Sequence, residues 1–320
     1  NTPGVTFETG PGGLVYVRVN NRHAAARLCL QGAHLMEWQP QAGMAGNRAA
    51  ATGGRDSRPA QAGMAGNRAA ATGAEAASTQ VLWMSRASLY ESGKALRGGI
   101  PVCWPWFGAH ADPSLPMHGF ARISTWKLAS VSLLPGGESA LGFELDSGMA
   151  TLAGWPHPYT LRLDFEIGAS LRVRRTVKNK GEAPFTFTGA LHSYFTVSDV
   201  REVSVLGLEG LSYVDRLTDM RHAQAGAVRF ECETDRIYLG NAGAVELEDP
   251  GFKRRIHMEM TGSASTVIWN PWIAKAARMS DFGDDEWPGM LCVEAANVLQ
   301  DAVTLASGEE HLLALSIALG

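Results

Sequence analysis

The sequence predicts an all-β fold, and three observations support this. Apolar and polar residues alternate over residues 13–19 and 159–167, which is the period of a half-buried strand. In the second segment the alternation places Leu161, Leu163 and Phe165 on one face. Gly, Pro, Asn and Asp separate such segments, and we find no long amphipathic helical stretch with convincing caps. Many short strands joined by turns indicate an antiparallel sandwich or barrel.

Three further segments continue the strand pattern. Residues 170–174 resume it after a Gly-Ala turn, and residues 185–188 resume it after an Asn-Lys-Gly turn. The C-terminal residues 310–319 are more typical of a closing strand than of a helix. Strands are therefore expected from the first residues of the chain to the last.

Composition limits the possible functions. Of 320 residues, 45% are hydrophobic and 19% are charged, so a buried core is expected and general disorder is excluded. We expect one domain over residues 1–320. The net charge of −4 argues against a nucleic-acid binder, and no apolar run approaches the roughly 18 residues of a membrane span. The first residues do not resemble a signal peptide, so we expect a cytoplasmic monomer that binds neither nucleic acid nor membranes.

The cysteines predict neither disulfides nor a zinc knuckle. They lie far apart in the chain, with no Cys-x-x-Cys pair. Reduced and mostly buried thiols are expected for a cytoplasmic protein. The four are Cys29, Cys103, Cys232 and Cys292.

A repeated segment interrupts the strand pattern. Residues 41–53 recur identically as residues 61–73, but two copies are too few for a solenoid. The composition is Ala, Gly and small polar residues without an apolar period. We interpret residues 40–79 as a flexible surface insertion between two strands, either a tolerated loop or a functional lid.

Two polar patches are candidates for anion binding. Arg97 precedes two glycines and an aromatic, Pro-rich run, and a guanidinium fork suits carboxylate or phosphate. The alternative is a surface arginine beside an aromatic core cluster. His118 and Arg122 form a second polar patch about twenty residues later, in an otherwise apolar context. A lone histidine is usually structural, but this one is accompanied by an arginine.

Glu294 is the candidate for acid–base chemistry, because it lies in an apolar, strand-like run. A carboxylate there must be paired or have a shifted pKa, and a shifted carboxyl can act as a general base. The alternative is a structural ion pair with an arginine. His192 and Asp235 lie in two further patches rich in polar and aromatic residues.

Cofactor motifs are missing from the sequence. The histidines show neither His-x-His nor His-Glu-x-x-His spacing, and no phosphate loop or dinucleotide-binding glycine motif is present. A serine-hydrolase elbow is also missing. We therefore expect no metal and no other cofactor.

Taken in order, these patches resemble the aldose 1-epimerase superfamily, and more closely its hexose-6-phosphate 1-epimerase branch, the glucose-6-phosphate mutarotases. Their order and spacing match over roughly residues 10–318, apart from the insertion. The matching segments are 96–101, 118–122, 191–195, 235–238, 269–272, 281–285 and 292–295. The resemblance implies a large antiparallel β-sandwich of the galactose-mutarotase type and a sugar phosphate as the small-molecule partner.

The resemblance also implies roles for individual residues. It makes His192 the general acid and Glu294 the general base. It places Arg97 and Arg122 on substrate and phosphate, and Asp235 on sugar hydroxyls. A further position, His118, matches a histidine that lines the pocket. The family often has Gln where this chain has Met117, so a hydrogen-bonding group is lost there.

These roles predict interconversion of the α and β anomers of a hexose 6-phosphate. Glu294 would remove the anomeric proton while His192, on the opposite side of the C1–O5 unit, protonates the ring oxygen. Three alternatives remain: a carbohydrate-binding module, a mutarotase for unphosphorylated aldoses, and a glycoside hydrolase. The hydrolase would pair Glu294 with an acidic residue of segment 281–285, although residues 284–286 resemble a solvated loop.

Overall fold

The computed structural model describes residues 2–41, 80–150, 155–241 and 243–320. Its strands pair antiparallel in two large sheets and two smaller ones. The first sheet takes its strands in chain order. These strands are β1 (Val5–Thr9), β2 (Val15–Asn20), β3 (Ala24–Cys29) and β4 (His34–Pro40).

One large sheet, here called the site sheet, carries the candidate functional residues. Its strands are β5 (Val102–Cys103), β11 (Gly189–Leu191), β12 (Tyr194–Thr196), β14 (Ser212–Asp215), β15 (Met220–Ala223), β16 (Thr234–Leu239), β19 (Ser265–Asn270) and β20 (Met290–Asn297). They lie in the order β15-β14-β16-β19-β20-β11-β5, and β12 also pairs with β20. β20 is therefore hydrogen-bonded on both sides.

The other large sheet is called the opposing sheet. Its strands are β6 (Lys127–Leu133), β7 (Ser139–Asp146), β8 (Tyr159–Ile167), β9 (Leu171–Asn179), β13 (Ser204–Leu206), β17 (Ala244–Asp249), β18 (Arg254–Thr261) and β22 (Glu310–Leu319). Their order is β13-β17-β18-β22-β9-β8-β7-β6. A further pair joins β10 (Phe185–Phe187) to β21 (Val303–Leu305).

The hydrophobic core contains buried side chains from both large sheets. Along β8 the buried residues alternate with partly exposed ones, as the sequence pattern predicts. Leu163 and Phe165 of β8 belong to the same core as Leu191 and Ile268 of the site sheet. The arrangement is that of a β-sandwich.

The predicted strands are confirmed. β8 and β22 have the predicted bounds. β2 and β10 differ from prediction by one or two residues, and β9 runs on to Asn179. In the described ranges one α-helix occurs, α1 (Trp272–Ala276), and none is long and apolar enough to cross a membrane. The cysteines in these ranges are free thiols, and Cys232 is the exposed one.

Residues 42–79, which contain the duplicated segments except for Gln41, lie outside the described residues. The chain segments on either side of them lie close together. The Val81 amide donates to the Trp38 carbonyl of β4 over 3.4 Å.

The interpretation of residues 284–286 as a solvated loop is wrong for Glu286, which is 8% exposed. Its carboxylate accepts hydrogen bonds from Ser85 Oγ at 2.7 Å and from the Arg86 amide at 2.9 Å. Burial is tolerated because several donors replace the lost water. Glu286 therefore connects the loop before β20 to residues 85 and 86, which follow the insertion.

Candidate active site

A row of side chains crosses four strands of the site sheet. The Cα register places Asp235 of β16 opposite Trp269 of β19, Trp269 opposite Cys292 of β20, and Cys292 opposite Tyr194 of β12. Residues directly opposite one another point to the same face of a sheet. Glu294, two residues after Cys292, points to that face as well. Strand pairing thus brings together residues that are far apart in the chain.

His192 and Glu294 lie side by side on this face. β11 ends at Leu191, and the His192 amide donates to the Pro101 carbonyl at 3.0 Å. The His192 ring stacks on Tyr194, with centroids 4.7 Å apart and planes at 8°. In this position His192 Nε2 is 3.4 Å from Glu294 Oε1.

Burial shifts the pKa values of His192 and Glu294 in the directions that favour the uncharged forms. His192 is 7% and Glu294 is 1% exposed. Desolvation, with Arg97 and Arg122 nearby, lowers the pKa of His192 well below its usual value. Desolvation, with Asp235 nearby, raises the pKa of Glu294 well above its usual value. Among the described residues, Glu294 Oε2 has no hydrogen-bond partner.

The pair opens into a cavity of about 720 Å³. Most of its lining is apolar, and charged or polar side chains, among them Arg97, His192 and Glu294, make up the rest. The lining residues are Arg97, Phe107, Gly108, Ala109, Met117, His118, Thr188, His192, Arg216, Asp235, Ile237, Val267, Trp269, Lys275, Met279, Glu294, Val298 and Leu299. A concave, mostly apolar site with a few convergent polar groups is typical of a small-molecule site.

Arg97 is held rigidly in the cavity wall. Its Nε and Nη2 donate to both oxygens of Asp281 at 2.9–3.2 Å, and its Nη1 donates to the Tyr194 hydroxyl at 3.0 Å. Burial opposes the charge of Arg97, but Tyr194 and Asp281 outweigh that effect and raise its pKa. The guanidinium is therefore charged and fixed in orientation.

His118 lines the same cavity as a neutral ring. It has φ of +62°, a conformation that only a minority of non-glycine residues adopt. Reciprocal contacts hold it, since the Gly108 amide donates to His118 Nδ1 at 3.1 Å and the His118 amide donates to the Gly108 carbonyl at 2.7 Å. Burial lowers the pKa of His118 well below its usual value. With Nδ1 accepting, the neutral ring carries its proton on Nε2.

Arg122 lies near the cavity but is not among its lining residues. It lies in a short 3-10 turn, Ala121–Ile123, and its Nη2 donates to the Met117 carbonyl at 2.6 Å. Met117 itself lines the cavity and is 55% exposed. Within the described residues, the buried Nε of Arg122 has no partner. Five of the six predicted site residues thus line one cavity, and Arg122 is the one that does not.

Two further residues of the cavity lining, Lys275 and Arg216, were missed by the sequence interpretation. Both favour the charged form of Asp235, whose pKa is nevertheless raised because burial is the larger effect. Lys275 Nζ is 3.2 Å from Glu233 and lies over the Trp269 ring. The sequence could have indicated Lys275, because this residue lies only three positions after the motif segment 269–272. Arg216 had no such indication, because an exposed turn residue resembles any surface arginine.

A sequence model of the aldose 1-epimerase family matches residues 70–318. That match covers far more than half of the chain. The chain belongs to the aldose 1-epimerase family. The resemblance inferred from the short motifs is therefore confirmed at the family level.

Relatives of known name and structure agree with this membership of the aldose 1-epimerase family. An Escherichia coli K12 protein named "Putative glucose-6-phosphate 1-epimerase" is 34% identical over 301 residues, covering 93% of this chain and 88% of its own. A solved "putative mutarotase" from Salmonella typhimurium is 30% identical, with a TM-score of 0.82 and coverage of 100% and 94%. A galactose mutarotase-like protein from Lactobacillus casei is 16% identical, with a TM-score of 0.66 and coverage of 95% and 100%. The predicted galactose-mutarotase type of sandwich is thereby confirmed.

Proposed function

We propose that this protein interconverts the α and β anomers of a hexose 6-phosphate, with glucose 6-phosphate as its substrate. The observation that carries the proposal is the contact between His192 Nε2 and Glu294 Oε1 at 3.4 Å on the floor of the cavity. The names of the relatives support the choice of substrate. Family membership supports an isomerase over a binding module or a hydrolase.

The spacing of the pair determines how the sugar is held. A separation of 3.4 Å leaves no room for a pyranose ring between the two groups, so the arrangement on opposite sides of the C1–O5 unit is replaced by a one-sided one. The anomeric oxygen and the ring oxygen are bonded to the same carbon and are therefore neighbours. They can face Glu294 and His192 together, one oxygen to each side chain.

One shared proton is sufficient for the reaction. Burial disfavours both charged forms, and we propose that the active form of the pair carries one proton in total. With the proton on His192, Glu294 takes the proton of the anomeric hydroxyl while His192 protonates the ring oxygen. The C1–O5 bond breaks and the open-chain aldehyde forms. Rotation about C1–C2 exposes the other carbonyl face, and the reverse transfers close the ring and restore the pair.

Positive charge on one side of the cavity suits the phosphate. Burial and the nearby charge of Arg97 lower the pKa of Arg122, so the two guanidinium groups lie close to each other. Asp281 is the carboxylate that pairs with Arg97. Two guanidinium groups and one carboxylate leave a net positive charge. We propose that Arg97 contacts the phosphate directly and that Arg122 adds its charge, with direct contact after a rearrangement of Met117. Charge-assisted hydrogen bonds to phosphate are among the strongest in proteins.

The other polar groups are assigned to the sugar. Asp235 lies on the same face as Glu294, and we propose that it accepts hydrogen bonds from sugar hydroxyls. His118 would donate through Nε2. We further propose that residues 1–320 form one domain, because both large sheets contribute to one core. A monomer would then be sufficient for catalysis, since every proposed group comes from one chain.

The decisive experiment follows the exchange between anomers by NMR with catalytic amounts of protein. Glucose 6-phosphate, glucose and galactose are compared at equal concentration, and the uncatalysed rate is subtracted. We expect acceleration for glucose 6-phosphate well above that for either free sugar. Binding without acceleration would support a carbohydrate-binding module and overturn the proposal. Faster exchange of the free sugars would overturn the assignment of the phosphorylated substrate.

A further inference from the structure

Three side chains of types that bind metals lie close together beside the cavity. A ring nitrogen of His192, Sγ of Cys292 and a carboxylate oxygen of Glu294 all lie within 4.8 Å of one another. In the described parts of the chain this is the one such group of histidine, cysteine and acidic residues. Sequence spacing did not predict it, because His192 lies a hundred residues before Cys292.

These donors are held on a rigid support. Cys292 and Glu294 alternate with apolar residues on β20, so both side chains lie on one face. β20 pairs with β19 on one side and with β11 and β12 on the other. His192 lies between β11 and β12 and is fixed by stacking on Tyr194. Ligands supported in this way lose little freedom when they bind an ion.

We propose that His192, Cys292 and Glu294 form a binding site for a thiophilic divalent cation such as Zn²⁺, and that the bound ion inhibits the enzyme. The ion would occupy the two side chains to which acid–base catalysis is assigned. The binding itself depends only on the three donors, whereas the inhibition rests on the proposed function.

The geometry suits a tetrahedral ion with one open position. Donors around Zn²⁺ at usual bond lengths lie about 3.4–3.6 Å from one another. His192 Nε2 and Glu294 Oε1 are already 3.4 Å apart, and the widest distance in the group needs to contract by roughly 1 Å. The unpartnered Glu294 Oε2 gives the carboxylate a second way to coordinate. Because His192 and Glu294 line the cavity, water can take the fourth position.

The charges of the donors balance the charge of the ion. Zn²⁺ binds thiolate, neutral imidazole and carboxylate. The thiol proton of Cys292 and the proton shared by His192 and Glu294 are therefore released to the buffer. The two charges of the ion are then neutralised by one thiolate and one carboxylate. A buried site with no net charge is less costly than one that leaves a buried charge uncompensated.

The donor set also predicts selectivity. Thiolate and imidazole favour Zn²⁺ and Co²⁺. Mg²⁺ and Ca²⁺ prefer six or more oxygen ligands, which this group does not offer. Mg²⁺ is therefore the control cation for the activity measurement.

Cobalt(II) is the probe for binding, because its thiolate complexes show a near-ultraviolet charge-transfer band. The full chain carrying Cys232→Ser, which removes the exposed thiol, is reduced, freed of metal and titrated. We expect one equivalent of Co²⁺ to bind with this band. Adding Cys292→Ser should abolish the band and weaken binding more than about 100-fold, since even outer partners of metal ligands contribute 10–100-fold. Cys103 is another buried thiol of the site sheet. Adding Cys103→Ser instead should change neither the charge-transfer band nor the affinity for Co²⁺.

Two results would overturn the site: no charge-transfer band in the parent protein, or an unchanged band after Cys292→Ser. Circular dichroism checks the folding of each variant. If Cys292→Ser does not fold, Glu294→Gln replaces it. That variant should keep the band and bind Co²⁺ at least about 10-fold more weakly, and an unchanged affinity would refute the site.

Inhibition is measured separately as anomer exchange of glucose 6-phosphate. We expect Zn²⁺ to stop the accelerated exchange and Mg²⁺ at the same concentration to leave it unaffected. Full activity with Zn²⁺ bound would overturn the inhibition. If the protein accelerates no exchange at all, the proposed function fails, whereas the cobalt titration still decides the metal site.

Discussion

Arg97 and Asp281 are 184 residues apart in the chain and form a two-point ion pair in the cavity wall, with a shortest distance of 2.9 Å. Their side chains are 21% and 18% exposed. The pair joins the segment after the insertion to the loop between α1 and β20. The ion pair therefore stabilises this part of the fold and also holds the positive charge of Arg97 at the cavity.

Asp281→Asn tests the structural part of this link. We expect the free energy of unfolding to fall by about 1–3 kcal/mol, because a largely buried guanidinium loses charge-assisted hydrogen bonds. Urea denaturation followed by tryptophan fluorescence measures the change. Asp285→Asn is the matched control, since Asp285 pairs with Arg86 on the exposed surface. Equal losses in the two variants would contradict the proposed stabilising role.

Arg97→Ala and Arg122→Ala test the phosphate assignment. Each variant should reduce kcat/KM for glucose 6-phosphate by roughly 10–100-fold, the value of a hydrogen bond to a charged group. The effect should appear mainly in KM, and free glucose should be affected much less. Arg172→Ala, in an exposed ion pair of the opposing sheet, is the control. Similar losses on both sugars would show that the arginines do not recognise the phosphate.

Glu294→Gln and His192→Asn test the acid–base pair. Each should lower kcat by about 10²–10⁴-fold, the usual contribution of one positioned proton-transfer group. KM should change little, because Gln has the shape of Glu and Asn is smaller than His, so neither replacement obstructs the cavity. His257→Asn, in an exposed contact with Glu246, is the control. An active Glu294→Gln variant would require a different base.

The pH profile follows from the shifted pKa values. The active pair carries one proton, and a second proton binds only below the lowered pKa of His192, which is under its ordinary value of 6.5. The last proton leaves only above the pKa of Glu294, which is raised by burial. We therefore expect the acid limb of kcat below pH 6.5 and its alkaline limb well above pH 4.5, the ordinary pKa of a glutamate.

Saturating substrate and blank subtraction isolate kcat in this measurement. The phosphate of the substrate titrates near pH 6, by analogy with phosphorylated side chains, where the pKa is about 6. Free glucose at high concentration therefore serves as the comparison, and its acid limb should coincide with that of glucose 6-phosphate. An acid limb centred above pH 6.5 would show that the charged form of His192 is favoured, contrary to its burial.

The local sequence pattern was sufficient to predict the strands, because alternating apolar and polar residues show which face of a strand is buried. Tyr159–Ile167 alternates in sequence and in burial alike, so its bounds were predictable. The short helix Trp272–Ala276 was not, because five residues carry no helical period. Glu286 was misread for a related reason. Its donors, Ser85 and the Arg86 amide, lie some 200 residues earlier.

The sequence by itself determined the all-β architecture and the family, and it singled out the residues to which we assign the acid, the base and the phosphate contacts. The alternation of apolar and polar residues and the short sequence motifs are sufficient to predict these properties. Tertiary structure decided that His192 and Glu294 lie in contact, that Asp281 fixes Arg97, and that Cys292 lies beside His192 and Glu294. These relationships are distances across strands, and distances between segments far apart in the chain exist only once the sheet register is set.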